Sequence, residues 1–311
     1  MTPTNPHDYS APSSASMLRR QNEQDALRLL IAQRRIHSKA KFWQSLRWTG
    51  LLLIGLAAPV ISAAWPGLAV LMGAIAGGWL FLGRTALEWR ISALTTRAAA
   101  TQEAFDFFVF AMPRTVIRST LPSIEDISKL AGPDAELLSV ADREELLGWY
   151  PINEADSNEV AVAIAQRANA SYSDRLLRTT VTLWIASSIV WGIALVVLSV
   201  IAKLPLPTFL AGVLLPVLPA SLDVVEYIVS IRRAARDRGD LARSIEGRLT
   251  NTSGQALEGQ DLLVWQDRMF ELRRSTPQVP DLLYRLTRRS NEAAMKSAAD
   301  QLGRHAREFH G

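Results

Sequence analysis

Residues 48–83 read WTGLLLIGLAAPVISAAWPGLAVLMGAIAGGWLFLG, a run of 36 residues without one Asp, Glu, Lys or Arg. One bilayer crossing takes about 20 apolar residues, so the run is too long for a single span and suits two short ones of ~18 each. Its centre, Ala64-Trp65-Pro66-Gly67, is a turn. Pro stops a helix, Gly reverses the chain, and Trp favours the headgroup level. The pattern predicts helices at about 48–65 and 67–84.

A second uncharged block runs from Thr179 to Leu222, interrupted only by Lys203. The interruption, Lys203-Leu204-Pro205-Leu206-Pro207, again reads as a turn, and predicts helices at about 179–201 and 207–229. A charge at the centre of a span costs roughly 2.5–3.5 kcal/mol on insertion scales, and two such clean blocks stand in a basic chain. The competing reading is a pair of buried hairpins in a soluble α-domain. The lengths and the distribution of charge argue against it.

The average composition decides less than its distribution. Of 311 residues 49% are hydrophobic and mean hydropathy is +0.09, values an ordinary soluble domain also reaches. The formal charge of +4 suits an anionic partner, but no nucleic-acid-binding motif accompanies it. Lys and Arg crowd the span ends. Arg34, Arg35, Lys39, Lys41 and Arg47 precede the first helix, and Arg84, Arg90 and Arg97 follow the second. Arg167, Arg175 and Arg178 precede the third, and Arg232, Arg233, Arg236 and Arg238 follow the fourth, while the two turns carry Lys203 alone. The positive-inside rule then puts both termini and the middle region in the cytoplasm.

The expected organisation is all-α: a disordered N-terminus at 1–16, a helix at 17–47, a hairpin at 48–84, a helical region at 85–178, a second hairpin at 179–229 and a helical C-terminal region at 230–311. Ser123, with Glu125 and Asp126 behind it, reads as the cap of a short helix, and Pro280-Asp281 opens a long one. Leu262, Trp265, Met269 and Leu272 form an apolar stripe. One short strand is conceivable at Phe107–Phe110.

Chemistry is sparse. The chain has no cysteine, which excludes disulfides and thiolate sites. His7, His37, His305 and His310 lack metal spacing, and no phosphate-binding Gly-rich loop or nucleophile elbow occurs. No catalytic residue, metal or cofactor is expected. The most suggestive cluster is Arg167, Asn169, Tyr172, Arg175 and Arg178 on one predicted helix, with Trp149 and Tyr150 upstream. Guanidiniums suit phosphate oxygens, and Asn and aromatic rings suit a base. The bland alternative makes Arg175 and Arg178 interfacial anchors and pairs Arg167 with Asp174. Inside the spans, Gly73 and Gly77 form a small-residue face, and Gly212 and Pro216 suit a kink or gate.

Several motifs together resemble the SMODS-associated four-transmembrane effectors, bacterial proteins thought to form pores. They are Gln21-Asn22, Leu29 to Arg35, Ser38 to Lys41, Gln102-Glu103-Ala104-Phe105-Asp106, Trp149-Tyr150-Pro151, Gln166-Arg167-Ala168-Asn169 and Arg175 to Arg178. Beyond the fourth span, Gln260-Asp261, Arg268, Val279-Pro280-Asp281, Tyr284 and Arg288 continue the likeness. The chain departs from the pattern at Ala165, where the family often has Cys, and at Tyr172, where it often has Trp.

The resemblance implies a homo-oligomeric, multi-pass effector of the bacterial inner membrane in an anti-phage system. A neighbouring nucleotidyltransferase would supply a cyclic oligonucleotide, and the effector would permeabilise the bilayer. A membrane scaffold for a cytosolic partner and a channel or transporter subunit stay open as alternatives.

Overall fold

The computed structural model of the chain describes residues 9–114, 118–250 and 257–310. These residues are all-α, with no strand among them. Helix α1 (Ser14–Arg20) is followed by α2 (Gln24–Ala64), which is 41 residues long and carries Pro59 inside it. A 3-10 turn at Pro66–Leu68 reverses the chain into α3 (Ala69–Leu82). A π turn at Gly83–Leu87 joins α3 to α4 (Glu88–Phe110). Short helices α5 (Ile124–Ala131) and α6 (Leu137–Arg143) lead to α7 (Asn158–Ile201), 44 residues long. After the second reversal come α8 (Leu206–Phe209), a π turn at Leu210–Leu214 and α9 (Leu215–Leu249). The chain ends with α10 (Gly259–Arg274) and α11 (Asp281–His310).

Among the described residues, three helical stretches are long and apolar enough to cross a membrane: 24–62, 70–110 and 158–201. Their lipid-type segments leave large apolar side chains bare, among them Val60, Val70, Phe81, Val190 and Ile201. Such a surface is stable only where water is absent. The fourth apolar segment is broken by the π turn around Gly212. Pro216 and Pro219 just beyond it have no amide hydrogen, so the Gly212 and Leu215 carbonyls lack their α-helical donors. The side chain of Pro216 lies outside the described residues.

The polar half is a helical body wrapped around one main core. Phe105, Phe110, Met17, Leu27, Leu30, Leu137, Leu146 and Ile164 are fully buried there. Ala98 to Ala100 on α4 and Ala161, Ala163 and Ala165 on α7 are also buried, and their small side chains let helix backbones approach closely. The apolar stripe Leu262, Trp265, Met269 and Leu272 faces this core.

Several expectations need correction. Phe107–Phe110 is the last turn of α4, not a strand, because the apolar run continues a helical face and ends only where Ala111 turns left-handed at φ 51°. Residues 1–8 of the expected disordered N-terminus lie outside the described residues, but 9–16 are held in place. Tyr9 is buried and donates its hydroxyl to the Phe110 carbonyl at 2.8 Å, and Ser14 Oγ donates to the Asp156 carbonyl. The helix expected at 17–47 breaks at Gln21–Glu23. That break frees Gln21 Oε1 to accept from Tyr150 N at 2.9 Å and Asn22 Oδ1 from Gly148 N at 3.0 Å. Ser123 caps α5 as expected, accepting from Asp126 N at 3.1 Å.

Gly73 and Gly77 are exposed, and a Cβ at either would meet no atom of another element among the described residues within 4 Å. The close approach in the first hairpin lies at Gly50 instead. A Cβ there would sit 2.1 Å from the Trp79 indole, whose Nε1–H donates to the Arg47 carbonyl at 3.2 Å. Gly50→Val is therefore expected to destabilise the protein by roughly 1–3 kcal/mol through overpacking, and Trp79→Ala in the same chain to restore part of the loss. Thermal unfolding in detergent reads both, and an unchanged midpoint for Gly50→Val would refute the contact.

Candidate functional site

The motifs that carry the resemblance converge on a buried polar network. Asp106, from the Gln102–Asp106 motif on α4, has no exposed surface. Its carboxylate accepts from Tyr150 Oη at 2.5 Å, Gln266 Nε2 at 2.7 Å and Arg273 Nη1 at 2.5 Å. Gln166 of α7 donates to Gln266 Oε1 at 3.1 Å and to the Leu262 carbonyl at 3.0 Å. Three separate segments thus meet at one carboxylate, and α7 joins them through Gln266. Burial, then the Asp106 charge, push the Tyr150 phenol well above its ordinary range, so it stays a donor at any physiological pH.

A second clamp lies alongside. Arg118 grips Glu103 with both Nε (2.9 Å) and Nη2 (3.0 Å), reaches Asp267 at 2.6 Å and stacks over the Phe270 ring. Arg238 on α9 is also buried. It donates to the Leu272 carbonyl at 3.1 Å and to Thr276 Oγ1, and burial, then the nearby Arg273 cation, pull its pKa down to about 9.

From this network a polar seam runs toward the apolar hairpins through Gln278, just before α11. Gln278 contacts His37 Nδ1 at 3.1 Å, donates to Thr95 Oγ1 at 2.9 Å, and its carbonyl accepts from Gln44 and Tyr227, each at 2.9 Å. One residue thereby ties α2, α4 and α9 together. Next to it Trp48, Trp184 and Tyr227 form an aromatic triangle from α2, α7 and α9, with ring centres 4.6–5.2 Å apart.

The seam ends at a charged clasp between the two hairpins. Asp223 of α9 is 3% exposed and lies between two arginines of the first hairpin, Arg47 Nη2 at 2.7 Å and Arg84 Nε at 3.0 Å. Arg47 also reaches Glu88 at 2.5 Å, and Arg84 reaches Glu226 at 2.9 Å. The π turn at Gly83–Leu87 places Arg84 within this clasp.

The candidate ligand residues are strung along α7 rather than gathered. Arg167 and Arg178 lie eleven residues apart, roughly 16 Å along the helix axis. Arg167 pairs with Glu246 of α9 at 2.8 Å, not with Asp174, whose carboxylate is taken by Arg178 at 2.7 Å. Arg175 Nε donates to Asn291 Oδ1 at 3.2 Å, and the Tyr172 ring meets Tyr284 edge-on at 6.3 Å. Asn169 and Trp149 are half-buried, while Tyr150 points into the core. Gly212 is buried, a Cβ there standing 4.0 Å from Ser62 of α2. The reading from sequence passed over Asp106, Arg273, Asp223 and Gln278. One signal for the clasp was available: Asp223 and Glu226 end the fourth apolar block, where Arg47 and Arg84 bracket the first.

Asp106→Ala is expected to cost roughly 3–5 kcal/mol, because it strands Arg273 in the core. Asp106→Leu combined with Arg273→Met should recover the part of that loss due to the stranded cation in detergent unfolding, while Tyr150 Oη and Gln266 Nε2 still lack their acceptor. If the double variant is as unstable as the single, the pair is not what holds this region. His37 gives a pH signature. Burial and the neighbouring Lys41 and Arg273 cations lower its pKa from 6.5 to about 4. Below 6.5 the unfolded chain gains the proton first, so stability is full above about 6.5 and falls as pH drops toward 4. The melting midpoint of the native protein should therefore drop more between pH 7.5 and 4.5 than that of His37→Gln. Equal drops would contradict this.

The comparisons with known proteins give one family. The model described as the SMODS-associating 4TM effector domain matches residues 15–302. No curated protein and no solved structure matches. The match spans both hairpins, the Asp106 network and the Asp223 clasp, and the chain belongs to the SMODS-associating 4TM effector family.

Proposed function

We propose that this membrane effector opens or disrupts the bilayer when its polar body senses a cyclic oligonucleotide. In this reading the four apolar segments are four spans in a bacterial inner membrane, with both termini and the polar body cytoplasmic. A neighbouring nucleotidyltransferase makes the signal in response to phage, and several copies act together. The unpartnered Gly73 and Gly77 face is where a second copy would pack. The family is one of effectors rather than known enzymes, and the chain is assigned no catalytic step.

The observation that carries the proposal is helix continuity. α2 and α7 run without interruption from the polar body into the apolar hairpins, so a change at one end is delivered to the other without a hinge. Arg167 and Arg178 are held by Glu246 and Asp174. Nucleotide phosphates would compete for these guanidiniums and for Arg175, with Asn169, Tyr172 and Trp149 beside the ligand and Tyr150 coupling it to the core. Exchanging Glu246 for phosphate removes one ion pair between α7 and α9, the helix that also carries Asp223. A ligand that binds the released arrangement more tightly shifts the population toward it.

The test is dye release from liposomes holding the purified protein. Release is expected only on addition of the cognate cyclic oligonucleotide, and silence across a panel of such ligands would sink the proposal. Asp223→Asn removes the charge between Arg47 and Arg84 and should raise nucleotide-free release about tenfold, the equivalent of losing ~1.4 kcal/mol from the closed state. Wild-type behaviour of that variant would remove the clasp from the mechanism.

A further inference from the structure

Beside the α2–α4 pair, a groove of about 510 Å³ lies between Arg35, Lys39, Phe42 and Trp43 of α2 and Lys129 and Leu130 of α5. Three cations line it and no acidic side chain does. Arg35 shares Glu144 at 2.8 Å with Arg34, whereas Lys39 and Lys129 have no partner among the described residues. Its floor is apolar: Leu130 and Trp43 pack on the small cluster of Ile36, Ala40, Leu94 and Ala98.

Two features locate the groove at the edge of the lipid. Phe42 is 63% exposed and lies six residues, about 9 Å of helix, from Trp48, where the uncharged run begins. Arg35, Lys39, Phe42, Leu46 and Leu53 also share one face of α2 by helical spacing, and all five are exposed. The face passes from cations through an aromatic ring to aliphatic side chains, the order in which a phospholipid presents its phosphate, glycerol and acyl chains.

We propose that this groove binds the phosphate of an anionic phospholipid from the leaflet on the side of the polar body, with Lys39 and Lys129 as its main partners and Phe42 against the glycerol and upper acyl chain. Lys129 belongs to α5, so a bound headgroup ties α5 to α2 at the membrane surface. A free phosphate or nucleotide would meet the same cations, but it would leave the Phe42–Leu53 stripe without a role, which favours the lipid. The inference rests on membrane placement and not on nucleotide gating, so silent liposomes would leave it standing.

The test uses the full-length protein in detergent, with retained lipid counted by native mass spectrometry after exposure to phosphatidylglycerol or phosphatidylcholine. Phosphatidylglycerol should be retained preferentially. Lys39→Gln with Lys129→Gln should weaken that retention by about 25-fold, taking about fivefold per cation near a membrane surface. Arg232→Gln with Arg233→Gln, two exposed cations just after the fourth apolar segment on α9, should weaken it far less, since no groove joins them. No preference between the lipids would overturn the proposal, as would an equal loss in the α9 control. Binding of inorganic phosphate or of a cyclic dinucleotide in lipid-free micelles, with the same dependence on Lys39 and Lys129, would reassign the groove to a soluble anion.

Discussion

A bilayer core tolerates no unpaired backbone amide, so a chain whose described residues hold no strand crosses it as helix. At 1.5 Å per residue, the 41 residues of α2 span roughly 62 Å and the 44 of α7 about 66 Å. Each is about twice the ~30 Å hydrocarbon thickness. Half of each rod therefore belongs to lipid and half to the water-facing body. The body is built on the protruding halves of the spans, with α10 and α11 packed against them. No linker separates the polar body from the apolar hairpins, and any movement between them is tilt, rotation or a change at a turn that is not α-helical. The π turns at Gly83–Leu87 and Leu210–Leu214 are such places.

Rods lined with alanine pack closely but do not choose a register unaided, because one methyl fits much like the next. The polar network supplies the choice. Asp106 reaches Tyr150, Gln266 and Arg273 together only when α4, α10 and the Gly148–Pro151 turn share one axial position. A slip of one residue would leave buried donors empty at roughly 1–3 kcal/mol each. Replacing such a network with well-packed apolar residues is often neutral or stabilising, so its contribution here is to specify one arrangement. Gln278 repeats the device nearer the membrane, joining α2, α4 and α9 through its amide and its carbonyl.

Charge-free runs made the hairpin turns at Pro66-Gly67 and Leu204-Pro205 readable from sequence, because each depends on local chemistry alone. The cap at Ser123 and the start of α11 after Pro280 were readable for the same reason. What escaped depends on which helices become neighbours. A lone Asp in Gln-Glu-Ala-Phe-Asp looks like the polar side of an amphipathic helix, and only packing against Arg273 makes it the centre of a core. Arg167 and Asp174 sit at a spacing that suggests a pair, yet α9 offers Glu246 at closer reach. The stretch Phe107–Phe110 looked strand-like because four apolar residues in a row carry no period, and burial on most sides of α4 hides the helical one. The ligand candidates were chosen by residue type, which says nothing of whether a guanidinium is already occupied.

Magnitudes separate the elements able to switch from those that only hold. The Asp106 network has three donors on one carboxylate in a dry core, and breaking it exposes several groups at once, a change on the scale of unfolding the body. The Asp223 clasp is different. An ion pair in water contributes at most about 1 kcal/mol, whereas stripping a partner from a buried one costs roughly 3–5 kcal/mol. A clasp at the lipid–water boundary moves between these limits according to how much water reaches it. Driving a two-state equilibrium from 1:99 to 99:1 takes about 5.5 kcal/mol of differential binding, which is close to that range and within reach of one multiply charged ligand. Arg84 enters the clasp from within the π turn, and α9, which carries Glu246 opposite Arg167 of α7, also carries Asp223. In the mechanism we propose, hydration of Asp223 is the step at which a modest rearrangement of the body becomes a large change in how the two hairpins hold each other.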